Sequence, residues 1–399
     1  MVDSSIPVSR EIANLNPRVI VTDAESRLGL YVIRALGRAG CNVTAVANQP
    51  DGPVIGFSSR HTASIHRLER GDYWQTLQHA LRELAPTHDV VIPVSGFSIA
   101  VVLEHQGHLP SNLRSFLPTA AAFRHASDKR AVTATAESIG VPVPETYSGL
   151  SSDTIEAWAA EHSDLLPLVI KFSDEDRDSH WHPKDRYRIV RSTDALVREY
   201  RRMNDIASDP LVQEYVEGDG YGYFAIFDSA GEPAAEFGHR RLREYPVSGG
   251  PSTLCESVAD PRLMDLGRRM LHALDWRGVA MVEFKRDHRS GEYKLLEINP
   301  RFWGSLPLAL QCGINFPLYQ VQLAMGGPVK TDGSYEVGAK MRFLLTDLLA
   351  VRQQWRQTRS PGLFWRYLKE LADLSIDDGI FAWDDPRPFF TYLKQGVSR

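Results

Sequence analysis

Glu283, Glu297, Asn299 and Arg301 are the residues of this 399-residue chain whose types and spacing point most directly to chemistry. They lie on two apolar runs, GVAMVEFKRD and EYKLLEINP, joined by the turn HRSG, which together read as a β-hairpin. Side chains alternate along a strand, so Met281, Glu283 and Lys285 share one face of the first arm, and Leu295, Glu297 and Asn299 share one face of the second. If the arms pair around HRSG, Glu283 faces Glu297, and like charges opposite one another on neighbouring strands repel. A hard divalent cation resolves the conflict: two carboxylates and an amide oxygen suit Mg2+ or Mn2+, with waters and substrate phosphate completing the shell. Arg301 follows on the same side as a fixed cation for developing negative charge.

Other basic residues fit the same chemistry. Lys171 lies within the apolar run LPLVIKF, where a lysine is costly unless an anion meets it. In HRRLREYPVSGGPST, residues 239–253, His239, Arg240, Arg241 and Arg243 precede a Gly249-Gly250 turn and Ser252. Guanidinium groups bind carboxylate or phosphate through two parallel hydrogen bonds, so this stretch is a candidate substrate site. His180-Trp181-His182 lacks a third metal ligand and reads as a solvated loop.

The elements that must position these groups follow from periodicity. The stretch RVIVTDAESRLGLYVIRALGRAGCNVTAVAN from Arg18 reads as a β-α-β unit, and its turn at residues 23–29 has one glycine where a dinucleotide fingerprint has three. A helix over Tyr73–Leu84, a strand at 89–93 and the helical VSGFSIAVVLEH continue the pattern, so residues 17–120 predict a small doubly wound parallel sheet. Ser127 is a plausible N-cap for a helix over 128–139, which Gly140 ends. Strand 166–172, strand YRIVRS, a helix over 193–207 and strand LVQEYVEG give a β-β-α-β lobe. Antiparallel strands YGYFAIFD and EPAAEFGHRRLR, a GGPST loop and the helix ADPRLMDLGRRMLHALDW lead to the hairpin. The expected layout is an extension at 1–16, a βα domain at 17–120, an α+β domain at 121–330 with its small lobe near 140–217, and a helical segment at 331–399.

Composition limits the partners. With 45 Lys and Arg against 50 Asp and Glu, the net charge of −5 offers no field for a polyanion, so nucleic acid is not expected. The 43% hydrophobic and 24% charged content is that of a globular chain. Cys41, Cys255 and Cys312 lack CxxC spacing and read as free thiols. No signal-peptide or membrane-spanning run is visible, which leads to the expectation of a cytoplasmic protein without membrane contact. The aromatic stretches GLFWRYLKEL and FAWDDPRPFFTYL could supply a homodimer face or pack on the body.

The hairpin, with Glu283 ahead of Glu297-Ile298-Asn299-Pro300-Arg301, resembles that of the ATP-grasp superfamily of carboxylate-amine ligases, similar to the ATP-binding fold of biotin carboxylase and carbamoyl phosphate synthase. The resemblance covers about residues 17–330 and implies an N-terminal βα domain followed by a two-lobed fold with antiparallel sheets. It implies that Lys129 and Lys171 contact ATP phosphates, and that adenine bonds to backbone along Gln213, Glu214, Tyr215 and Val216, with Glu217 or Asp219 at the ribose. It implies ATP and Mg2+ as cofactors, small carboxylate and amine substrates, and an acyl phosphate that the amine converts to an amide. Residues 173–188, the expected lid over the triphosphate, depart from the family in having no glycine and carry Arg177, His180, His182, Lys184, Arg186 and Arg188 instead. Rival readings are phosphorylation of a hydroxyl or enol before amine addition, and a nicotinamide-dependent oxidoreductase using the βαβ unit.

Overall fold

In the computed structural model, residues 16–105, 107, 109–173, 187–247 and 249–395 are described. The expected lid falls largely on 174–186, which lie outside the described residues, as does the extension up to residue 15.

The first layer is a parallel sheet of β1 (Arg18–Val21), β2 (Asn42–Ala47), β3 (Ser64–Arg67) and β4 (Val90–Ile92), in the order β3-β2-β1-β4. Alternation sorts its side chains onto two cores. Val19 and Val21 face helix α1 (Arg27–Arg38), whereas Ile20 faces α2 (Tyr73–Leu84) and α3 (Gly96–His105). Strand β3 escapes the sequence reading because SIHR is polar and half exposed at the sheet edge.

Two helices then lead into the second half, α4 (Ala120–Ser127) and α5 (Lys129–Ser138). The N-cap of α5 is Asp128, not Ser127, and its carboxylate accepts from the amides of Arg130 and Ala131; Ser127 ends the unforeseen α4. The small lobe is an antiparallel sheet, order β5-β8-β6-β7, built from β5 (Thr146–Tyr147), β6 (Leu168–Lys171), β7 (Tyr187–Val190) and β8 (Leu211–Glu214). Its own core packs against α6 (Ile155–Glu161) and α7 (Thr193–Ile206).

The large sheet has seven strands in the order β13-β12-β9-β10-β11-β14-β15. They are β9 (Gly218–Phe227), β10 (Pro233–Glu244), β11 (Ser252–Val258), β12 (Gly278–Asp287), β13 (Tyr293–Asn299), β14 (Lys340–Arg342) and β15 (Asp377–Asp378). The expected GGPST loop instead runs into β11, where Ser252 already pairs with Glu244. One face of the sheet packs under α5 and α8 (Pro261–Ala273). The other shares a continuous apolar core with α1, α9 (Leu306–Gln311) and α10 (Phe316–Ala324), so the parallel layer and the large sheet are fused.

The segment from 331 onward is not purely helical. Besides α11 (Leu344–Thr358), α12 (Pro361–Ala372) and α13 (Arg387–Gln395) it supplies strands β14 and β15. It is fastened to α1 by Arg34, whose Nε lies 2.9 Å from Asp385 Oδ2, with both side chains almost fully buried. Asp385 also accepts from Ser59 Oγ at 2.6 Å and the Arg60 amide at 2.9 Å. Burial raises the Asp385 pKa, but the hydrogen bonds from Ser59, Arg60 and Arg34 outweigh it and hold the carboxyl below its usual range. Asp385→Ala strands the Arg34 charge in the interior and is expected to cost about 3–5 kcal/mol in denaturant unfolding. Because the folded pKa is depressed, this stabilisation is present above the unfolded carboxylate pKa and fades as pH falls through the folded one. Asp385→Asn should lose that part of the acid sensitivity, and an unchanged acid limb would contradict it.

Candidate active site

The hairpin register is the centre of the site. Strands β12 and β13 pair Met281 with Asn299, Val282 with Ile298 and Glu283 with Glu297, so the two carboxylates stand directly opposite one another. The pairing then slips, with Phe284 opposite Leu295. This leaves Leu296 as an extra residue, a β-bulge. The bulge corrects one expectation: Leu295 does not share the face of Glu297 and Asn299 but is buried with Phe284 and Ile298 in the core beneath α5. The displaced Leu296 carbonyl accepts from Lys171 Nζ at 3.3 Å.

Both lysines expected at phosphates meet β13. Lys129, in the first turn of α5, holds its Nζ 3.5 Å from Glu297 Oε2, and its amide donates to the Ser173 carbonyl at 2.9 Å, two residues past Lys171. The side chain of Lys129 is 8% exposed and that of Glu297 15%, so the pair is poorly screened. Glu297 Oε1 also accepts from Asn299 Nδ2 at 3.1 Å, and Asn299 Oδ1 accepts from Arg301 Nη2 at 2.9 Å. Arg301 thus reaches the side expected of it, through Asn299.

Of the 239–253 cluster, the structure brings Arg241 to the carboxylates and sends the other arginines elsewhere. Arg241 Nη2 lies 2.7 Å from Glu283 Oε2, with Nη1 3.3 Å from Glu244 and 3.4 Å from the Gly250 carbonyl. Burial alone would lower the Arg241 pKa, but the Glu283 and Glu244 charges raise it. A register shift at Leu242 separates Arg241 from Arg243. Arg243 forms a two-pronged bond with Asp347 at 2.8 and 2.7 Å and meets Glu370 at 2.6 Å, so it clasps α11 and α12 instead of facing the hairpin. Arg240 pairs with Asp219 at 3.2 Å and Glu256 at 3.7 Å. Ser252 Oγ donates to the Leu254 carbonyl, and the Gly249 carbonyl accepts from Tyr187 Oη of the small lobe.

His239 is buried on the same sheet face, opposite Gly222, with Nδ1 3.0 Å from Ser305 Oγ. Burial first and the Arg241 charge second hold its imidazole well below the usual 6.5.

The hinge is more committed than its sequence suggests. The Glu214 amide donates to Glu145, and its carboxylate takes both 2.7 Å bonds from Lys294 Nζ. Gln213 donates to Thr146 at 2.7 Å, and the Val216 carbonyl accepts from Lys285 at 3.2 Å. Tyr215 lies between two cations, 5.5 Å from Lys285 and 5.8 Å from Arg191. The Glu217 carbonyl accepts from the His288 amide, and Asp219 pairs with Arg240 and His288. Lys285, Lys294 and Arg191 escaped the sequence reading; alternation placed Lys285 on the Glu283 face, and its hinge contact is set by tertiary approach.

Among the described residues no group of three or more His, Cys, Asp and Glu side chains is gathered to cage a metal. The oxygen donors expected to hold a cation are Glu283, Glu297 and the Asn299 amide. They fit a hard cation that takes its remaining ligands from water and phosphate, and do not fit a caged transition metal.

The N-terminal turn offers no dinucleotide site. Gly29 is required by packing, since a Cβ there would lie 2.3 Å from the Asp23 carbonyl oxygen. The Asp23 carboxylate occupies the turn, accepting from Ser95 Oγ at 2.8 Å, Ser98 Oγ at 2.7 Å and Tyr73 Oη at 3.2 Å, and its negative charge would repel a pyrophosphate.

Residues 209–344 match the family described as "ATP-grasp in the biosynthetic pathway with Ter operon". Biotin carboxylase from Campylobacter jejuni superposes with a TM-score of 0.66 at 17% identity, over 81% of this chain and 74% of that one. N5-carboxyaminoimidazole synthetase from Staphylococcus aureus superposes with a TM-score of 0.64 at 13% identity, over 86% of each chain. Acetyl-CoA carboxylase 1 of Oryza sativa subsp. japonica is 32% identical over 91 residues, which are 23% of this chain and 4% of the plant protein. Acetyl-CoA carboxylase 2 of Arabidopsis thaliana is 26% identical over 141 residues, 35% of this chain and 6% of that protein. Residues 209–344 are thus similar in sequence to an ATP-grasp family, and the chain shares its fold with biotin carboxylase and N5-carboxyaminoimidazole synthetase. Among the described residues no helix is long and apolar enough to cross a membrane.

His239 is expected to stay neutral. In NMR spectra its imidazole signals should show no titration near the free-histidine value, any change falling well below it. A midpoint near the free-histidine value would show that the site is wetter than its packing implies.

Proposed function

We propose that the protein is an ATP-dependent ligase that activates a substrate carboxylate as an acyl phosphate and joins it to an amine, releasing ADP and phosphate. The observation that carries the reading is the direct opposition of Glu283 and Glu297, with a lysine on one and an arginine on the other. A structural hairpin gains nothing from facing carboxylates, whereas a site for Mg-ATP needs them.

In this reading Lys129 and Lys171 bind the phosphate oxygens, moving from their present partners Glu297 and the Leu296 carbonyl. Glu283, Glu297 and Asn299 hold Mg2+, which when bound neutralises charge at the transferred phosphoryl group. Arg241 takes the acceptor carboxylate in its planar fork, and Arg301 stabilises the tetrahedral oxyanion as the amine attacks. Two steps are thereby supported: the carboxylate oxygen attacks the γ-phosphorus and ADP leaves, then the amine nitrogen attacks the acyl carbon and phosphate leaves with its bonding pair. No side chain becomes covalently modified. The hinge from Gln213 to Asp219 holds the nucleoside, by backbone groups other than the Glu214 amide.

The test is ADP formation with Mg-ATP across a panel of small carboxylates and amines, with product mass as the second readout. A productive pair should yield ADP and the condensed product in equal amounts, and Glu297→Gln should lower the rate by at least about a hundredfold without unfolding the protein. ADP and a phosphorylated hydroxyl product would favour the alcohol-phosphorylating rival, and full activity in Glu297→Gln would sink the ligase reading.

A further inference from the structure

We propose that Arg241 is a latch on the cation-binding carboxylate Glu283, released when the guanidinium turns to the acceptor carboxylate, so that acceptor binding and cation loading are coupled. The inference rests on the ligase reading for the identity of the two ligands; the latch itself is in the geometry.

Arg241 stands on β10 and Glu283 on β12, with β9 between them. An ion pair across an intervening strand requires that strand to present nothing on the shared face. Strand β9 meets the requirement with glycine at positions 218, 220 and 222 in GDGYGYF. Gly222 pairs with His239 on one side and Glu283 on the other, and Gly220 pairs with Lys285. A Cβ at Gly220 would lie 2.8 Å from Arg241 Cδ and 2.9 Å from Glu244 Oε1. The arginine therefore lies in a lane cleared for it. Glycine weakens a strand, and the opposite face of β9, with Tyr221 and Tyr223 buried, shows that the strand is otherwise fully packed.

The lane leads the guanidinium to a group that must later bind a cation. A divalent ion at Glu283 competes with a 2.7 Å charge-assisted bond for the same carboxylate. A carboxylate arriving at Arg241 competes for the same fork and frees Glu283. Arg241 Nε is buried with no hydrogen-bond partner among the described residues, so the guanidinium keeps a donor in reserve for that exchange. Linkage makes the effect reciprocal: the acceptor raises cation affinity by the factor by which the cation raises acceptor affinity. An enzyme built this way holds its cation weakly until the acceptor is present, which limits idle ATP hydrolysis.

The experiment measures Mn2+ affinity of the full chain in saturating ADP, from the free-ion electron paramagnetic resonance signal. Wild type is compared with Arg241→Met, with Gly220→Ala, which keeps every charge but fills the lane, and with Arg240→Met, which removes a neighbouring charge outside the latch. Arg241→Met and Gly220→Ala should both bind Mn2+ about tenfold more tightly, as expected for one charge-assisted hydrogen bond removed, and Arg240→Met should move much less. Should one latch variant fail to fold, the other carries the comparison. Folded latch variants that bind Mn2+ no better than wild type overturn the latch while leaving the ligase reading intact. A wild-type protein that binds no Mn2+ in the presence of ADP overturns the ligase reading and the latch with it. An Arg240→Met effect equal to that of Arg241→Met, with Gly220→Ala unchanged, reduces the effect to bulk charge and also overturns the latch.

Discussion

Two carboxylates facing each other across adjacent strands are the constraint around which the rest of this protein is arranged. At the side-chain separations of a cross-strand pair, two unit charges in an environment of intermediate dielectric repel by roughly 3 kcal/mol. The fold offsets this from two directions. Lys129 comes from the first turn of α5, above the hairpin, and Arg241 from β10, across an intervening strand. Each contribution depends on apparatus further out: the Asp128 cap that starts α5 at Lys129, the Lys129 amide bond to Ser173, and the glycines of β9.

The same constraint explains the irregularities near the site. The bulge at Leu296 turns one hydrophobic residue out of alternation and so presents its carbonyl to Lys171. The register slip at Leu242 lets Arg241 face the hairpin while Arg243, two residues later, fastens α11 and α12. Bulges re-aim side chains without changing the sheet. Here the first presents a carbonyl to Lys171, and the second divides one basic run between chemistry and architecture.

That division marks the limit of what could be read from the chain beforehand. That Glu283 and Glu297 stand on paired strands was legible from the HRSG turn and the apolar runs, but their direct opposition depends on the bulge, since the pairing of Arg286 with Tyr293 and Phe284 with Leu295 would otherwise bring Leu296 opposite Glu283. The lysine on β6 was legible because an isolated cation on an apolar strand demands a partner. The roles of Arg240, Arg241 and Arg243 were not, since a one-residue slip reverses which of them shares a face, and nothing local announces it. Strands β3 and β11 were missed because SIHR is polar and STLCESV follows a glycine-proline turn that reads as loop. The Arg34–Asp385 clasp joins residues 351 apart, beyond any pattern of spacing. Local chemistry was visible in the residues, and the long-range partners that orient it were visible only in the fold.

The two glutamates are alike in type and unlike in company, and this gives the hairpin a direction. Glu297 is held by Lys129 and Asn299, beside Lys171 and the small lobe, so its surroundings suit the phosphate end of a reaction. Glu283 is held by Arg241, with Glu244 and the Gly250 carbonyl beyond, so its surroundings suit an anionic acceptor. Glu283 and Glu297 would hold a cation between these two neighbourhoods, and their opposition is set by main-chain pairing instead of by flexible side chains alone. The N-terminal layer, its first turn filled by the Asp23 carboxylate and its core continuous with the large sheet, then serves as a rigid backing for that line. The strand on which each glutamate stands, more than residue type, is what separates the two ends of the site.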